Sequence, residues 1–322
     1  MSNVLVTAIG SFSADIVIKK LKEMNNRVVG CDIYPKEWVA DAWNVDKFYQ
    51  APYASDTDRY MQFIIELCKK EGIKFLIPLT DLEIDVLNSH RGELAAENVI
   101  VCISDEDCIE KCRNKFLLYE YLKKCEMPEL IETQKLEEVN GYDLKFPVVM
   151  KPVDGRSSQG LLFADSAEQM EHLSKSVDIK NYIVQPKIEG SIVTVDVVRQ
   201  NDRENAVAIC RKELLRTANG AGLSVYVFRD EELEHTAKTI AKHLNICGCV
   251  NFEFIVTDDN RKFFLECNPR FSGGVEFSCM AGYNCVLNHL RCFENEPIQM
   301  DYSIQEMYIA RKYEEYITRI VQ

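Results

Sequence analysis

The 322-residue chain has no apolar run near the roughly 18 residues that a membrane-spanning helix requires, so no membrane partner is expected. Its N-terminus, MSNVLVTAIG, lacks the basic region and small-residue cleavage pattern of a secretory signal, and a cytoplasmic location is the expectation. Positive charge is scarce: 38 Lys and Arg against 51 Asp and Glu give a formal net charge of -13. Nonspecific nucleic-acid binding depends on clustered positive charge, so nucleic acid is not an expected partner. A local basic site for a small anion remains compatible with that balance. The five His are scattered, with no HExxH, and no C-x-x-C pair has zinc-site spacing. Thirteen cysteines are present, but an odd number in a chain this long does not describe a disulfide scaffold. Cys31, Cys102, Cys210 and Cys267 fall in apolar strand-like runs, where Cys acts as a small hydrophobe. Repeats and low-complexity segments are also missing.

What is present is ordinary globular material, 47% hydrophobic and 28% charged, with a length that favours two domains. The first third alternates strands and helices: Val4–Ile9, a helix-like SADIVIKKLKEM, Arg27–Cys31, a helix-like stretch from Asp58 to Glu71, Phe75–Pro78 and Val99–Ile103. That order predicts a parallel, doubly wound sheet over residues 1–110. Beyond it, an amphipathic helix over Asn114–Lys124 precedes several strand-like runs with few helices between them. Antiparallel pairing in an α+β domain is the expectation there.

Three constellations carry chemistry. The first is the turn at Gly10, with Asp32 ending the next strand, which mimics a dinucleotide-binding unit. The fingerprint needs three glycines, and Phe12 and Asp15 stand at the second and third positions. Phe12 obstructs a diphosphate and Asp15 repels it, so an ordinary α/β unit is the better reading. The second is Lys151, delivered by the apolar run Phe146–Pro152 and followed by Asp154-Gly-Arg-Ser-Ser-Gln-Gly160. A buried lysine needs an anion or loses its charge, and a Gly/Ser-rich tip offers backbone N–H groups to phosphate. A solvated hairpin whose lysine snorkels outward is the alternative.

The third is the pair of runs Asn251–Val256 and Phe263–Asn268, separated by Thr257–Arg261. A two-residue turn at Asp259–Asn260 sets Glu253 opposite Glu266 and Asn251 opposite Asn268. All four then project from one face. Two facing carboxylates about 5 Å apart repel by roughly 3 kcal/mol at an effective dielectric near 20. A divalent cation removes the conflict, and an all-oxygen donor set favours magnesium or manganese; a wet face with solvated acids is the alternative.

With these residues in order, the sequence resembles the ATP-grasp superfamily, and among its members the single-module carbamoyl-phosphate-synthase-like ligases, relatives of biotin carboxylase and D-alanine–D-alanine ligase. Glu266-Cys-Asn-Pro-Arg270 matches the E-x-N-P-R segment, and Phe271-Ser-Gly-Gly274 continues it. Glu253 takes the place of the upstream metal-binding acid, Asn114-Lys115 resembles the D-K opening of the grasp domain, and Tyr182–Gly190 falls at the adenine hinge. The resemblance implies a Rossmann-like domain over 1–110 and an ATP-grasp domain over 111–322. The latter divides into a lid at about 111–188 and a C-terminal subdomain with the metal site at 189–322.

By the same resemblance, Lys115 and Lys151 hold ATP phosphates beneath a loop containing Gly155, Arg156, Ser157, Ser158 and Gly160. Gln185 and the backbone of Pro186, Lys187 and Ile188 meet adenine. Glu253, Glu266 and Asn268 hold Mg2+ or Mn2+, and Arg270 steadies charge at the transferred phosphoryl group. Arg211 and Arg216, with Gly273 and Gly274, are candidates for the substrate, although either arginine reads equally as ion-paired. Ile192 stands where many members carry a ribose-binding Glu, leaving that contact unassigned. The activity implied is an ADP-forming ligase that joins a small carboxylate to an amine through an acyl phosphate. An ATP-binding scaffold without turnover and a dinucleotide-dependent oxidoreductase are the alternatives. Oligomeric state is open, a homodimer being the commonest for soluble proteins of this kind.

Overall fold

A computed structural model describes residues 2–156, 159–217 and 220–321. The first sheet is five-stranded and wholly parallel, in the order β3-β2-β1-β4-β5. Its strands are β1 (Asn3–Val6), β2 (Arg27–Asp32), β3 (Lys47–Gln50), β4 (Phe75–Ile77) and β5 (Ile100–Val101), with helices α1 (Ala14–Glu23), α2 (Thr57–Glu71), α3 (Asp81–Ser89) and α4 (Arg91–Ala96) between them. Strands buried on both faces read as unbroken apolar runs, as Val4–Val6 and Phe75–Ile77 do. The Gly10 turn has the plain structural role: its N–H donates to the buried Asp32 carboxylate at 2.8 Å, and Tyr34 N–H donates to the other oxygen at 3.1 Å. The carboxylate that would meet a ribose in a dinucleotide site is therefore already engaged.

Helices α5 (Glu106–Arg113) and α6 (Lys115–Lys124) lead to a small antiparallel sheet. It contains β6 (Gln134–Lys135), β7 (Val148–Pro152), β8 (Leu162–Ala164) and β9 (Tyr182–Pro186) in the order β6-β9-β7-β8, with α7 (Ala167–Ser174) against it. The third sheet is antiparallel and six-stranded, β14-β13-β10-β11-β12-β15. Its strands are β10 (Ser191–Gln200), β11 (Asn205–Arg216), β12 (Gly222–Phe228), β13 (Gly248–Val256), β14 (Lys262–Asn268) and β15 (Met307–Ala310). Helix α8 (Glu231–His243) covers one face, and α9 (Val275–Met280) and α10 (Cys285–Glu294) lie on the other.

The packing differs from the expected boundaries in two places. Helix α5 runs through residue 110, burying Ile109 with the parallel-sheet core and Cys108 and Cys112 with the central-sheet core. Helix α6 likewise gives Leu118 and Leu122 to the central core, whereas the lid has its own cluster from Leu136 to Val184. The lid core thus starts well after residue 111. One face of the parallel sheet, α1, α10 and the central sheet share a single apolar cluster. All thirteen cysteines are free, and no helix among the described residues is long and apolar enough to cross a membrane.

The β13–β14 hairpin corrects the expected turn while keeping the expected pairs. Its connection spans Thr257 to Arg261, with Thr257 N–H donating to Arg261 O at 3.0 Å and Asn260 at φ 65°. That makes a three-residue loop, and the pairs beside it run Val256–Lys262, Ile255–Phe263 and Phe254–Phe264. A bulge at Leu265 then moves the register by one, so Glu253 pairs with Glu266 and Asn251 with Asn268. A bulge places two residues of one strand against one of its partner, and here it sends Leu265 and Glu266 to the same cleft.

Candidate active site

The three sheets meet around a cleft of about 640 Å³, within the range of small-molecule sites. Its inner end is polar. Strand β7 delivers Lys151, buried beside Glu266 and Lys115, and burial pushes its amine down to about 8 against the pull of Glu266. Lys115 follows Asn114, whose side chain caps α6 by accepting from the N–H groups of Phe116 and Leu117. The lysine's Nζ is thereby aimed at Gly155 O, 2.6 Å away, and at Glu266, 3.9 Å away. Burial holds the Lys115 amine below its ordinary value.

Glu253, Glu266 and Asn268 line the same end. Burial, followed by the facing Glu266, raises the Glu253 carboxyl above its usual range, with Arg216 opposing. Asn268 Nδ2 donates to Glu266 at 3.3 Å. Asn251 Oδ1 is buried without a hydrogen-bond partner among the described residues. An orphaned amide oxygen beside two facing carboxylates and a second amide fits a hard divalent cation. No group of three His, Cys, Asp or Glu that could hold a metal ion exists among the described residues, so two acids and two amides are what the protein offers.

The outer end is apolar, walled by Ile131, Val149, Phe163, Ile192, Ile255 and Leu265. Gln185 is buried at its edge, its Nε2 donating to Thr133 Oγ1 at 2.7 Å. Of the expected hinge groups, the Lys187 N–H is engaged, donating to Pro147 O at 3.0 Å. Gln185, Pro186, Lys187 and Ile188 all line the cleft. Ile192, sited where ribose contact was unassigned, belongs to this apolar wall.

The loop after β7 reaches the parallel-sheet domain. Arg156 Nη2 lies 3.6 Å from Asp85 of α3, and its buried Nη1 has no partner among the described residues. Gly160 has φ +72°, and a Cβ there would stand 2.7 Å from Tyr182 Oη, so the position requires glycine. Gly160 is tied to the lid through its carbonyl, which accepts from Tyr182 at 3.1 Å, and it does not line the cleft. Ser157 and Ser158 lie outside the described residues.

The arginines divide. Arg211 is a correction: it is wholly buried, paired with Asp196, donating to Ser278 at 2.7 Å and to Ser272 at 3.1 Å. A guanidinium locked beneath the sheet has no access to a substrate carboxylate, so its part is structural. Gly274 lies over it, with a Cβ there only 3.2 Å from Arg211 Nη2, and it is likewise outside the cleft lining, whereas Gly273 is in it. Arg216 does face the cleft, its Nη2 straddling the Glu253 oxygens at 3.2 and 3.1 Å. Arg270 also lines it, with Nε and Nη2 donating to Asp81 at 3.0 and 2.9 Å. Burial opposes ionisation of Asp81, but the Arg270 guanidinium outweighs it and holds the carboxyl below its usual range.

Sequence reasoning missed Asp81 and Asp85, which lie on α3, and Arg113, which joins them at 4.0 and 2.7 Å. The available signal was Asp81's place just after β4, since ligands of parallel sheets gather at the carboxyl ends of the strands.

Residues 178–315 match the family described as ATP-grasp in the biosynthetic pathway with Ter operon. Residues 4–102 match the PylC-like N-terminal domain. The carbamoyl phosphate synthase large chain of Saccharolobus islandicus is 23% identical over 248 residues, 72% of this chain, and the chain spans 23% of that relative's length. The D-alanine–D-alanine ligase of Aquifex aeolicus is 28% identical over 145 residues, covering 42% of this chain and 50% of that protein. Among solved structures, biotin carboxylase of Campylobacter jejuni in its beta-gamma-ATP complex superposes with TM-score 0.80 at 15% identity, over 93% of this chain and 72% of that one. N5-carboxyaminoimidazole synthetase of Staphylococcus aureus complexed with ADP gives 0.75 at 14%, over 94% and 80%. Residues 178–315 thus carry an ATP-grasp domain, and the parallel domain, the lid sheet and the central sheet that bracket this cleft share the fold of these solved structures.

Proposed function

We propose that the protein is an ADP-forming carboxylate–amine ligase that works through an acyl phosphate. The observation that carries this reading is the polarity of one cleft. An apolar slot with the Gln185 hinge opens at one end, and Lys115, Lys151, Glu253, Glu266 and Asn268 converge at the other. A nucleotide needs that sequence of environments, base to phosphates.

Lys151 and Lys115 take up the phosphate charge, and both gain from it, because burial penalises each ammonium by more than Glu266 offsets. The unpartnered Arg156 Nη1 is a further donor on the loop that closes the cleft. Magnesium held by Glu253, Glu266 and Asn268 supplies neutralisation of the phosphate oxygens. Arg270, oriented by Asp81 and by its Nη1, which donates to Phe271 O at 3.2 Å, places a fixed positive charge beside the charge that develops as the γ-phosphoryl group moves to a substrate carboxylate. An amine then displaces phosphate to give the amide. The chain supplies positioning and fixed charge, with no covalent enzyme intermediate.

The test is magnesium-dependent ADP release across a panel of carboxylates, amino acids among them, paired with amines. Turnover with at least one pair is expected, as is its abolition in Glu266→Gln, with the melting temperature unchanged or raised because one of two facing acids is neutralised. Magnesium–ATP binding without ADP release for any pair supports the non-catalytic scaffold instead.

A further inference from the structure

Arg216 is the only cleft arginine that, among the described residues, pairs with one of the two facing acids. Its Nη2 lies between the Glu253 oxygens, at 3.2 and 3.1 Å, and its Nε donates to Gly220 O at 2.7 Å. Gly220 has φ +86°, and a Cβ there would stand 3.2 Å from Arg216 Nη2. The glycine at 220 thus leaves room for the Arg216 guanidinium. The pairing answers an electrostatic need: Glu253 faces Glu266 across the hairpin, and without a metal each acid needs its own cation. Lys115 serves Glu266 at 3.9 Å, and Arg216 serves Glu253.

A cation held by Glu253 and Glu266 would need the Glu253 carboxylate that Arg216 now covers, so the two compete. We propose that Arg216 is a carboxylate receptor held in reserve, occupied by Glu253 until a metal–nucleotide takes that acid and releases the guanidinium to an acidic substrate. The inference rests on the nucleotide and metal reading above. It adds an order, metal–nucleotide first and carboxylate second, and it names the residue that recognises the acid. Its chemistry is already displayed: the side chain grips a carboxylate in the present structure, at the end of the cleft where the phosphoryl group would be transferred.

The test uses Mn2+ with ADP, followed by loss of the free-Mn2+ electron paramagnetic resonance signal. Wild type, Arg216→Gln, Glu253→Gln and the double variant form a cycle. Arg216→Gln is expected to tighten Mn2+ binding to the protein–ADP complex by about fivefold or more, and to change it by less than twofold when Glu253 is already Gln. Tightening of equal size in both backgrounds means a general field effect and overturns the competition, as does unchanged or weakened binding. A second arm follows relaxation of the acetate methyl protons by bound Mn2+. Wild type should show enhancement that Arg216→Gln loses, and equal enhancement in both overturns the receptor role. Arg216→Lys, with a point charge of shorter reach, replaces the Gln variant if that one fails to fold, and should show a smaller change of the same sign. Wild type that fails to bind Mn2+ with ADP at all refutes the nucleotide-site reading itself, a result separable from a cycle that shows no coupling.

Discussion

Lys151 shows how one residue trades stability for binding. Its amine is driven from the ordinary 10.5 to about 8 by burial, so between these values the unfolded chain binds more protons than the folded one. Stability then rises with pH across that window, and below about 8 the folded protein carries a penalty on the order of 3 kcal/mol. Replacing the amine with an apolar group of similar length removes the penalty. Lys151→Met should raise the melting temperature at pH 7 and flatten its rise between pH 8 and 10, while weakening nucleotide binding tenfold or more. Melting curves across pH, beside calorimetric titration with ADP, check both halves. A variant that melts lower yet binds ADP normally would make Lys151 a structural residue. The lysine's burial was legible in the sequence because it sits within an apolar run; its anion partners, Glu253 and Glu266 in the central sheet, were not.

At the scale of elements, the metal-site hairpin and helix α3 mark what local pattern reveals and what it hides. A two-residue turn at Asp259–Asn260 placed Glu253 against Glu266 and alternation put both on one face, although the turn was read one residue short. The Leu265 bulge repaired the error, because burial of Phe252, Phe254 and Phe264 on the opposite face forbids a slipped pairing. Bulges leave no mark in residue type, so this one was not legible. The contact of α3 with Arg270 was also hidden, since nothing local joins positions so far apart in the chain. Asp81 is the first residue of α3, where the helix dipole also favours a carboxylate, and it fixes two guanidinium nitrogens of Arg270. Asp81→Asn should therefore lower kcat by about 10–100-fold through misorientation, with ADP affinity unchanged. Asp81→Glu should restore part of the rate. A merely structural pair predicts instead a lower melting temperature with kcat per folded molecule intact, and the kcat-against-Kd comparison separates the two.

For the molecule as a whole, the distribution of apolar contact predicts which parts open together. Val4, Val6, Phe75 and Ile77 of the parallel sheet share one cluster with Val198, Val207 and Val227 of the central sheet, to which α1 and Val286 and Leu290 of α10 also contribute. A continuous core unfolds cooperatively, whereas the lid holds only its own small cluster around Val148, Met150 and Val184. Amides of the lid should therefore exchange through a local opening of low free energy, and those of β1, β4, β10 and β11 should share a higher one. Leu290→Ala, which empties a fully buried site in that shared cluster, should cost about 2–5 kcal/mol. Protection should fall on both sheets alike while the lid is unaffected. Adding ADP with magnesium should do the reverse and raise lid protection most, because at the proposed site the ligand would bridge Lys151 and Gln185 of the lid to Glu253 and Glu266 of the central sheet. Native-state hydrogen exchange followed by mass spectrometry resolves all three segments in one experiment. A parallel sheet that opens separately from the central one, with Leu290→Ala felt on one side only, would show two independent domains in place of one rigid platform beneath a hinged lid.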